Sequence, residues 1–151
     1  MARHITIAAA QYNFDAVETI AQWRIKITRW VEQGVQQGGQ VMVFPEYAAM
    51  ELSCIGHRGL DLHGSIDAVS DLTGEIIVLH QELARKHGVM IVAGSAPCRG
   101  EQGTFNVAQI FGPQGAHDSF RKIMPTPWER DPWRISSGRD LKVYDIGIAK
   151  V

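Results

Sequence analysis

No stretch of this 151-residue chain is apolar over the roughly 20 residues that a bilayer-spanning helix needs, which argues against a membrane partner. The N-terminal Met1-Ala2-Arg3-His4 leads straight into a strand-like run rather than a signal-peptide core, so the expected compartment is cytoplasmic. Cysteine is scarce as well. The two that exist, Cys54 and Cys98, cannot build a disulfide framework, and neither stands in a Cys-x-x-Cys or Cys/His pattern with zinc spacing. Both are expected as reduced thiols, and no metal and no cofactor is implied. Charge of one sign is missing too: 15 basic and 16 acidic residues give a net charge of -1, and no run of Lys and Arg forms a patch that would attract nucleic acid. Neither repeat nor linker interrupts the chain, so residues 1–151 read as a single domain.

What is there alternates between helix and strand periods. Ile5 to Ala10 is an apolar run of strand length, and Asp15 offers an N-cap for a following amphipathic helix. Along that helix Ile20, Trp23, Ile27, Trp30 and Val31 recur at spacings of three and four until Gly38-Gly39 stops it. Val41 to Phe44 is a second strand, and Glu46 through Ser65 reads as a long functional loop. A second helix is predicted from near Thr73 to His87, with Ile76, Leu79, Leu83 and Ala84 on its apolar face and Gly88 as its left-handed cap. Val89 to Gly94 is too continuously apolar for a one-sided strand and is expected at the centre of a sheet. Thr104 to Phe111 and Ala116 to Phe120 flank the turn Gly112-Pro113-Gln114-Gly115 and should form a hairpin. The segment Arg121 to Asp140 is irregular, and Leu141 to Ile146 returns to a strand pattern before a new apolar strand begins near Ile148. This order is that of a layered α/β fold. Two helices cannot cover both faces of six strands, so more chain or a partner is expected to complete it.

Two charges stand at the ends of apolar elements. Glu46 follows Val41-Met42-Val43-Phe44-Pro45, where proline ends the strand and presents the carboxylate at its C-terminal end, the position at which open α/β sheets bind ligands. Lys122 follows the hairpin's second strand and opens a segment that carries Pro125, Pro127, Pro132, Trp128 and Trp133. Taken singly, a Pro-Glu and a lysine are ordinary surface residues. Trp128 and Trp133 are candidates for the wall of a substrate site, and Tyr47 joins Trp128 in a candidate pocket, whereas Trp23 and Trp30 read as helix-packing residues. His80 and His87 lie seven apart on one helix with no third ligand at matching spacing, and His57 and His63 read as loop residues.

Taken together, Phe44-Pro45-Glu46-Tyr47, Ala93-Gly94-Ser95, Phe105-Asn106-Val107-Ala108, Gly112-Pro113-Gln114-Gly115, Arg121-Lys122 and Pro125-Thr126-x-x-Glu129-Arg130 resemble, in order, the nitrilase superfamily of carbon-nitrogen hydrolases. The resemblance extends over essentially the whole chain. It implies an α/β fold forming part of a four-layer αββα sandwich, a Cys-Glu-Lys triad, a small-molecule amide or nitrile substrate, and a homo-oligomer. By position it makes Glu46 the general base and Lys122 the catalytic lysine, with Glu129 as the supporting second glutamate.

The nucleophile departs from the pattern. In the family the cysteine lies at the end of the strand beginning near Ile148, a few residues beyond Val151, and neither Cys54 nor Cys98 matches it. The resemblance thus implies an incomplete domain, the N-terminal half of a hydrolase roughly twice as long and inactive without its second half, and an open apolar edge with one uncovered sheet face predicts that the segment alone aggregates or stays partly unfolded. Phe44 to Glu51 looks like the amide-hydrolysing branches, while Pro125-Thr126-x-x-Glu129-Arg130 suits a nitrilase, and a non-catalytic binding module without the nucleophile is the third reading.

Overall fold

The computed structural model describes residues 4–57, 61–139 and 141–145. Strand β1 (Ile7–Ala9) pairs in parallel with β2 (Val41–Val43), and β2 pairs in parallel with β3 (Met90–Gly100). From there the sheet turns antiparallel: β3 pairs with β4 (Gly103–Phe111) and β4 with β5 (His117–Arg121). The short β6 (Ile135–Ser136) joins β4 in parallel and completes a six-stranded sheet of order β1-β2-β3-β4-β5. The expected hairpin forms around Gly112–Gly115, and β3 holds the central place that its continuous apolarity demanded. It also runs on to Gly100, making a second hairpin with β4.

Helix α1 (Ile20–Gln36) begins not at Asp15 but at Thr19, whose extended backbone and side-chain oxygen, accepting from the Gln22 N–H at 3.2 Å, satisfy one of the free donors of the first turn. Asp15 is instead drawn into an ion pair with Lys26 at 2.9 Å. Trp23, Ile27, Val31 and Gly34 form the buried stripe. At Gly34 the helix comes so near β2 that a β-carbon would meet the Met42 sulfur at 2.4 Å.

The stretch read as one loop from Glu46 to Ser65 is mostly helical. It holds a 3₁₀ run, Ala48–His57, kinked at Ile55 and Gly56, and then α2 (Leu62–Asp71), capped by Asp61 through the Gly64 N–H at 2.6 Å. Its Gly64, Ser65, Asp67 and Ser70 are weak helix formers, and the burial of Ile66, Ala68 and Val69 overrides them. His63 therefore lies exposed on a helix rather than on a loop. Helix α3 (Thr73–His87) buries Ile76, Leu79, His80, Leu83 and Ala84 and ends at Gly88 with φ 63°, as its sequence requires. Within the irregular segment, α4 (Pro127–Arg130) and β6 take form, and the sixth strand is β6 rather than Leu141 to Ile146. Residues 141–144 are not paired into a strand, and Ile146 and the stretch from Ile148 onward lie outside the described residues.

Helices α1, α2 and α3 and the 3₁₀ run all pack on one face of the sheet. Trp23, Val31, Leu52, Val69, Leu79 and Leu83 there enclose Met42, Phe44, Ile91 and Phe111. Each such large side chain contributes roughly 1.5–3 kcal/mol on burial. The alternate residues point to the opposite face, where Val41, Met90 and Ile110 form a smaller cluster with Ile5, Val43, Val92, Phe120 and Tyr144. Among the described residues no helix is long and apolar enough to cross a membrane.

Candidate active site

The strand alternation that sends Phe111 into the helix layer sends Asn106 to the other face of β4, and Lys122, directly after β5, lies opposite it. The Lys122 N–H donates to the Asn106 carbonyl at 2.8 Å. Glu46 arrives from the end of β2 through a tight turn. Its neighbour Tyr47 has φ 60° and donates its N–H to Ser95 Oγ at 3.1 Å, while β3 yields beneath it through a register shift between Val92 and Ser95, with Gly94 at φ 70°. Glu129 comes from α4, where Thr126 and Glu129 form a capping box: the Thr126 N–H donates to Glu129 Oε2 at 2.7 Å and the Glu129 N–H to Thr126 Oγ1 at 3.3 Å.

The three charges converge. Lys122 Nζ donates to Glu46 Oε1 at 2.7 Å and to Glu129 Oε2 at 2.8 Å, so one ammonium bridges two carboxylates from opposite ends of the sequence. The two differ sharply in setting, since the Glu129 side chain is 5% exposed and that of Glu46 is 53% exposed. Burial pushes the Glu129 carboxyl up, but the hydrogen bonds from Lys122, Tyr47, Thr126 and Asn106 outweigh it and hold it at about 2. Burial alone would lower the Lys122 ammonium, yet its bonds to Glu129 and Glu46 raise it above the usual lysine value. Tyr47 donates its hydroxyl to Glu129 Oε1 at 2.5 Å, and burial together with the adjacent carboxylates pushes that phenol well above its usual range. Its ring edge rests against Trp133 at 5.2 Å between centroids.

Asn106 closes the cluster. Its Nδ2 donates to Glu46 Oε1 at 2.8 Å and to Glu129 Oε1 at 3.0 Å. In sequence Asn106 stands only within the string Phe105-Asn106-Val107-Ala108, and the signal that singles it out is a lone amide in the otherwise apolar start of a central strand. Sequence reading likewise missed a second buried carboxylate, Glu51 in the 3₁₀ run. It accepts from the Tyr12 hydroxyl, from Lys26 Nζ at 2.6 Å and from the Asp15 N–H at 3.2 Å. That cluster pins the segment following Glu46 to α1 and to the stretch after β1.

The remaining candidates do not join the charges. Trp128 shows 74% of its surface to solvent. Cys54 is exposed in the 3₁₀ run, and Cys98 lies on the helix-covered side of β3, with Thr73 Oγ1 at 3.6 Å and Gln109 Nε2 at 3.9 Å. Burial pushes the Cys98 thiol up, the reverse of what a nucleophile needs. His80 is wholly buried, with Nδ1 2.7 Å from the Ile76 carbonyl and its ring stacked on Phe111 at 5.5 Å.

A family model described as carbon-nitrogen hydrolase matches residues 6–151, and the chain belongs to that family. It is 26% identical over 148 residues to the "Probable hydrolase YhcX" of Bacillus subtilis, covering 97% of this chain and 28% of that protein. To the nitrilase of Pyrococcus abyssi it is 28% identical over 150 residues, 97% of this chain and 53% of the relative. Among solved structures, the amidase from Nesterenkonia sp. AN1 in complex with acrylamide superposes with a TM-score of 0.66 at 18% identity, covering 99% of this chain and 54% of that one. The α/β architecture is thus that of the carbon-nitrogen hydrolases. The chain spans between about a quarter and about half the length of these proteins.

Proposed function

We propose that this carbon-nitrogen hydrolase chain supplies the base and the cation of a site that cleaves the carbon–nitrogen bond of a small amide, as the N-terminal half, residues 1–151, of a longer hydrolase domain. Glu46 takes the proton of a cysteine thiol that lies outside this chain. The thiolate attacks the amide carbon, and Lys122 stabilises the negative charge that develops on the carbonyl oxygen. Glu46 then returns the proton to the departing amine. Water, deprotonated by the same carboxylate, splits the thioester and frees the acid. Glu129 keeps Lys122 charged and aimed, and Tyr47 and Trp128 stand at the substrate side of the cluster. Assembly into a homo-oligomer belongs to the same reading.

The observation that carries this reading is the Lys122 ammonium, held by Glu129 on one side and reaching a half-exposed Glu46 on the other. A purely structural ion pair has no need of a second carboxylate that remains open to solvent. Neither Cys54 nor Cys98 bonds to Glu46 or Lys122, which supports a nucleophile from elsewhere. Nitrile hydrolysis is the second reading, favoured by the likeness to nitrilases of Pyrococcus abyssi and Arabidopsis thaliana.

The test is ammonia release by the protein that carries this chain with its continuation, offered small aliphatic amides and the matching nitriles, beside its Glu46→Gln variant. Turnover of amides that is lost in the variant supports the proposal, and turnover of nitriles alone replaces it with the second reading. A continuation with no cysteine within about one strand length, typically 5–6 residues and a short turn, removes the enzyme reading in favour of a non-catalytic binding module.

A further inference from the structure

We infer that Asn106 is a positioning residue for Glu46: its one amide group joins the two carboxylates and, with Lys122, occupies Oε1 of Glu46, which makes Oε2 the oxygen that exchanges the proton. The inference rests on the reading of Glu46 as the base.

Asn106 is buried on β4, between β3 and β5, on the face of the strand opposite Phe111. Both hydrogens of its NH₂ are spent, one on Glu46 Oε1 at 2.8 Å and one on Glu129 Oε1 at 3.0 Å. Turning the amide over would bring its oxygen against two acceptors, so the surrounding carboxylates fix its orientation. Its Oδ1 has no hydrogen-bond partner among the described residues, so the amide is held from its donor side alone. Its backbone carbonyl also accepts the Lys122 N–H at 2.8 Å, so one residue sets both the base and the main chain of the cation.

The consequence lies in how Glu46 is shared. Oε1 accepts from Lys122 Nζ at 2.7 Å and from Asn106 Nδ2, and among the described residues nothing donates to Oε2. A lysine on its long flexible stem fixes a distance but not the plane of a carboxylate. The amide, carried on a central strand, supplies the second direction that does. Among the described residues, the ionisable groups that face it are Glu46, Glu129, Lys122 and the Tyr47 phenol, and it is the only neutral donor among the partners of Glu46. It separates two carboxylates without adding charge.

The experiment compares Asn106→Leu and Asn106→Asp with the parent in the protein that carries this chain with its continuation, by steady-state hydrolysis of a small amide across pH and by thermal melting. Asn106→Leu is expected to lower kcat at least about tenfold with KM moved less than about threefold, since orientation at the reacting atoms acts on the chemical step. Asn106→Asp keeps the volume but places an acceptor against two acceptors. It is expected to lower kcat further and to move the acid limb of the pH profile to higher pH. Parental kcat and pH limbs in Asn106→Asp overturn the inference, as does a loss of activity in that variant that merely follows a fall in Tm with no change in the pH profile, or parental kcat in a folded Asn106→Leu. If Asn106→Leu does not fold, Asn106→Asp decides alone. The Glu46→Gln variant separates the two claims: inactive Glu46→Gln beside normal Asn106 variants rejects only this inference, whereas active Glu46→Gln rejects the assignment of the base and the inference with it.

Discussion

Gly94 and Pro45 approach so closely that a β-carbon at position 94 would lie 2.0 Å from the Pro45 carbonyl oxygen. The contact explains why β3 breaks its register there and adopts φ 70° at Gly94. The Pro45-Glu46-Tyr47 turn rests directly on that break, with the Tyr47 N–H fastened to Ser95 Oγ. The position of the candidate base is thus decided by a strand 48 residues away from it in sequence.

Gly94→Ala is therefore expected to be costly in two ways. The positive φ alone costs about 1–3 kcal/mol for a residue with a side chain, and the obstacle is a backbone carbonyl that cannot rotate away. Urea unfolding of the parent and variant should differ by at least about 2 kcal/mol, near the upper range for single substitutions. A difference within about 0.5 kcal/mol would contradict the contact.

Lys122→Met removes the cation that bridges Glu46 and Glu129. In the protein carrying this chain with its continuation, turnover of its amide should fall by about two to three orders of magnitude, the usual effect of losing one charge-stabilising donor. Retained turnover would refute its assigned role. In the same variant the Glu129 carboxyl should titrate well above its parental value of about 2, which carbon-detected NMR reads directly.

The same carboxyl sets part of the acid stability. Its folded value lies below the unfolded one of 4.5, so the stabilisation is complete above that pH and is lost as pH falls toward about 2. On the order of 3 kcal/mol is at stake over this window. Glu129→Gln should flatten the stability curve between these limits, and a curve as steep as the parent's would assign the acid loss to other groups.

His80 acts in the neighbouring window. Burial lowers its imidazole from 6.5 to about 4, so the folded protein keeps it neutral while the unfolded chain takes up a proton below 6.5. Stability should therefore decline as pH falls from 6.5 toward 4, and His80→Phe, which preserves the stacking on Phe111, should remove that decline. Equilibrium unfolding at a series of pH values measures both slopes, and equal slopes would show that the buried ring is not their source.

Glu51→Ala should destabilise by about 3–5 kcal/mol, because it strands Lys26 and the Tyr12 hydroxyl in a part-buried site. Lys26 keeps its ion pair with Asp15, which sets the lower end of that range. Calorimetric unfolding checks it, and a variant as stable as the parent would mean that the 3₁₀ run is held by Leu52 and its apolar neighbours alone.

Amino-acid order by itself determined the strands through β5 and helices α1 and α3, the apolar stripe and glycine cap of α3, the hairpin at Gly112–Gly115, and Glu46 and Lys122 as the charges worth following, with Glu129 added by the family resemblance. These are readable because periodicity, turn residues and spaced motifs are local properties. Tertiary structure alone decided the rest. Helix α2 forms from poor helix formers because Ile66 and Val69 are buried, and Thr19 rather than Asp15 caps α1 because Lys26 claims the aspartate. Only the fold reveals that Asn106 speaks to both carboxylates and that Gly94 makes room for the Pro45 turn. Both depend on strands far apart in sequence lying side by side, and a hydrogen bond or a steric contact exists only at the distance that packing allows.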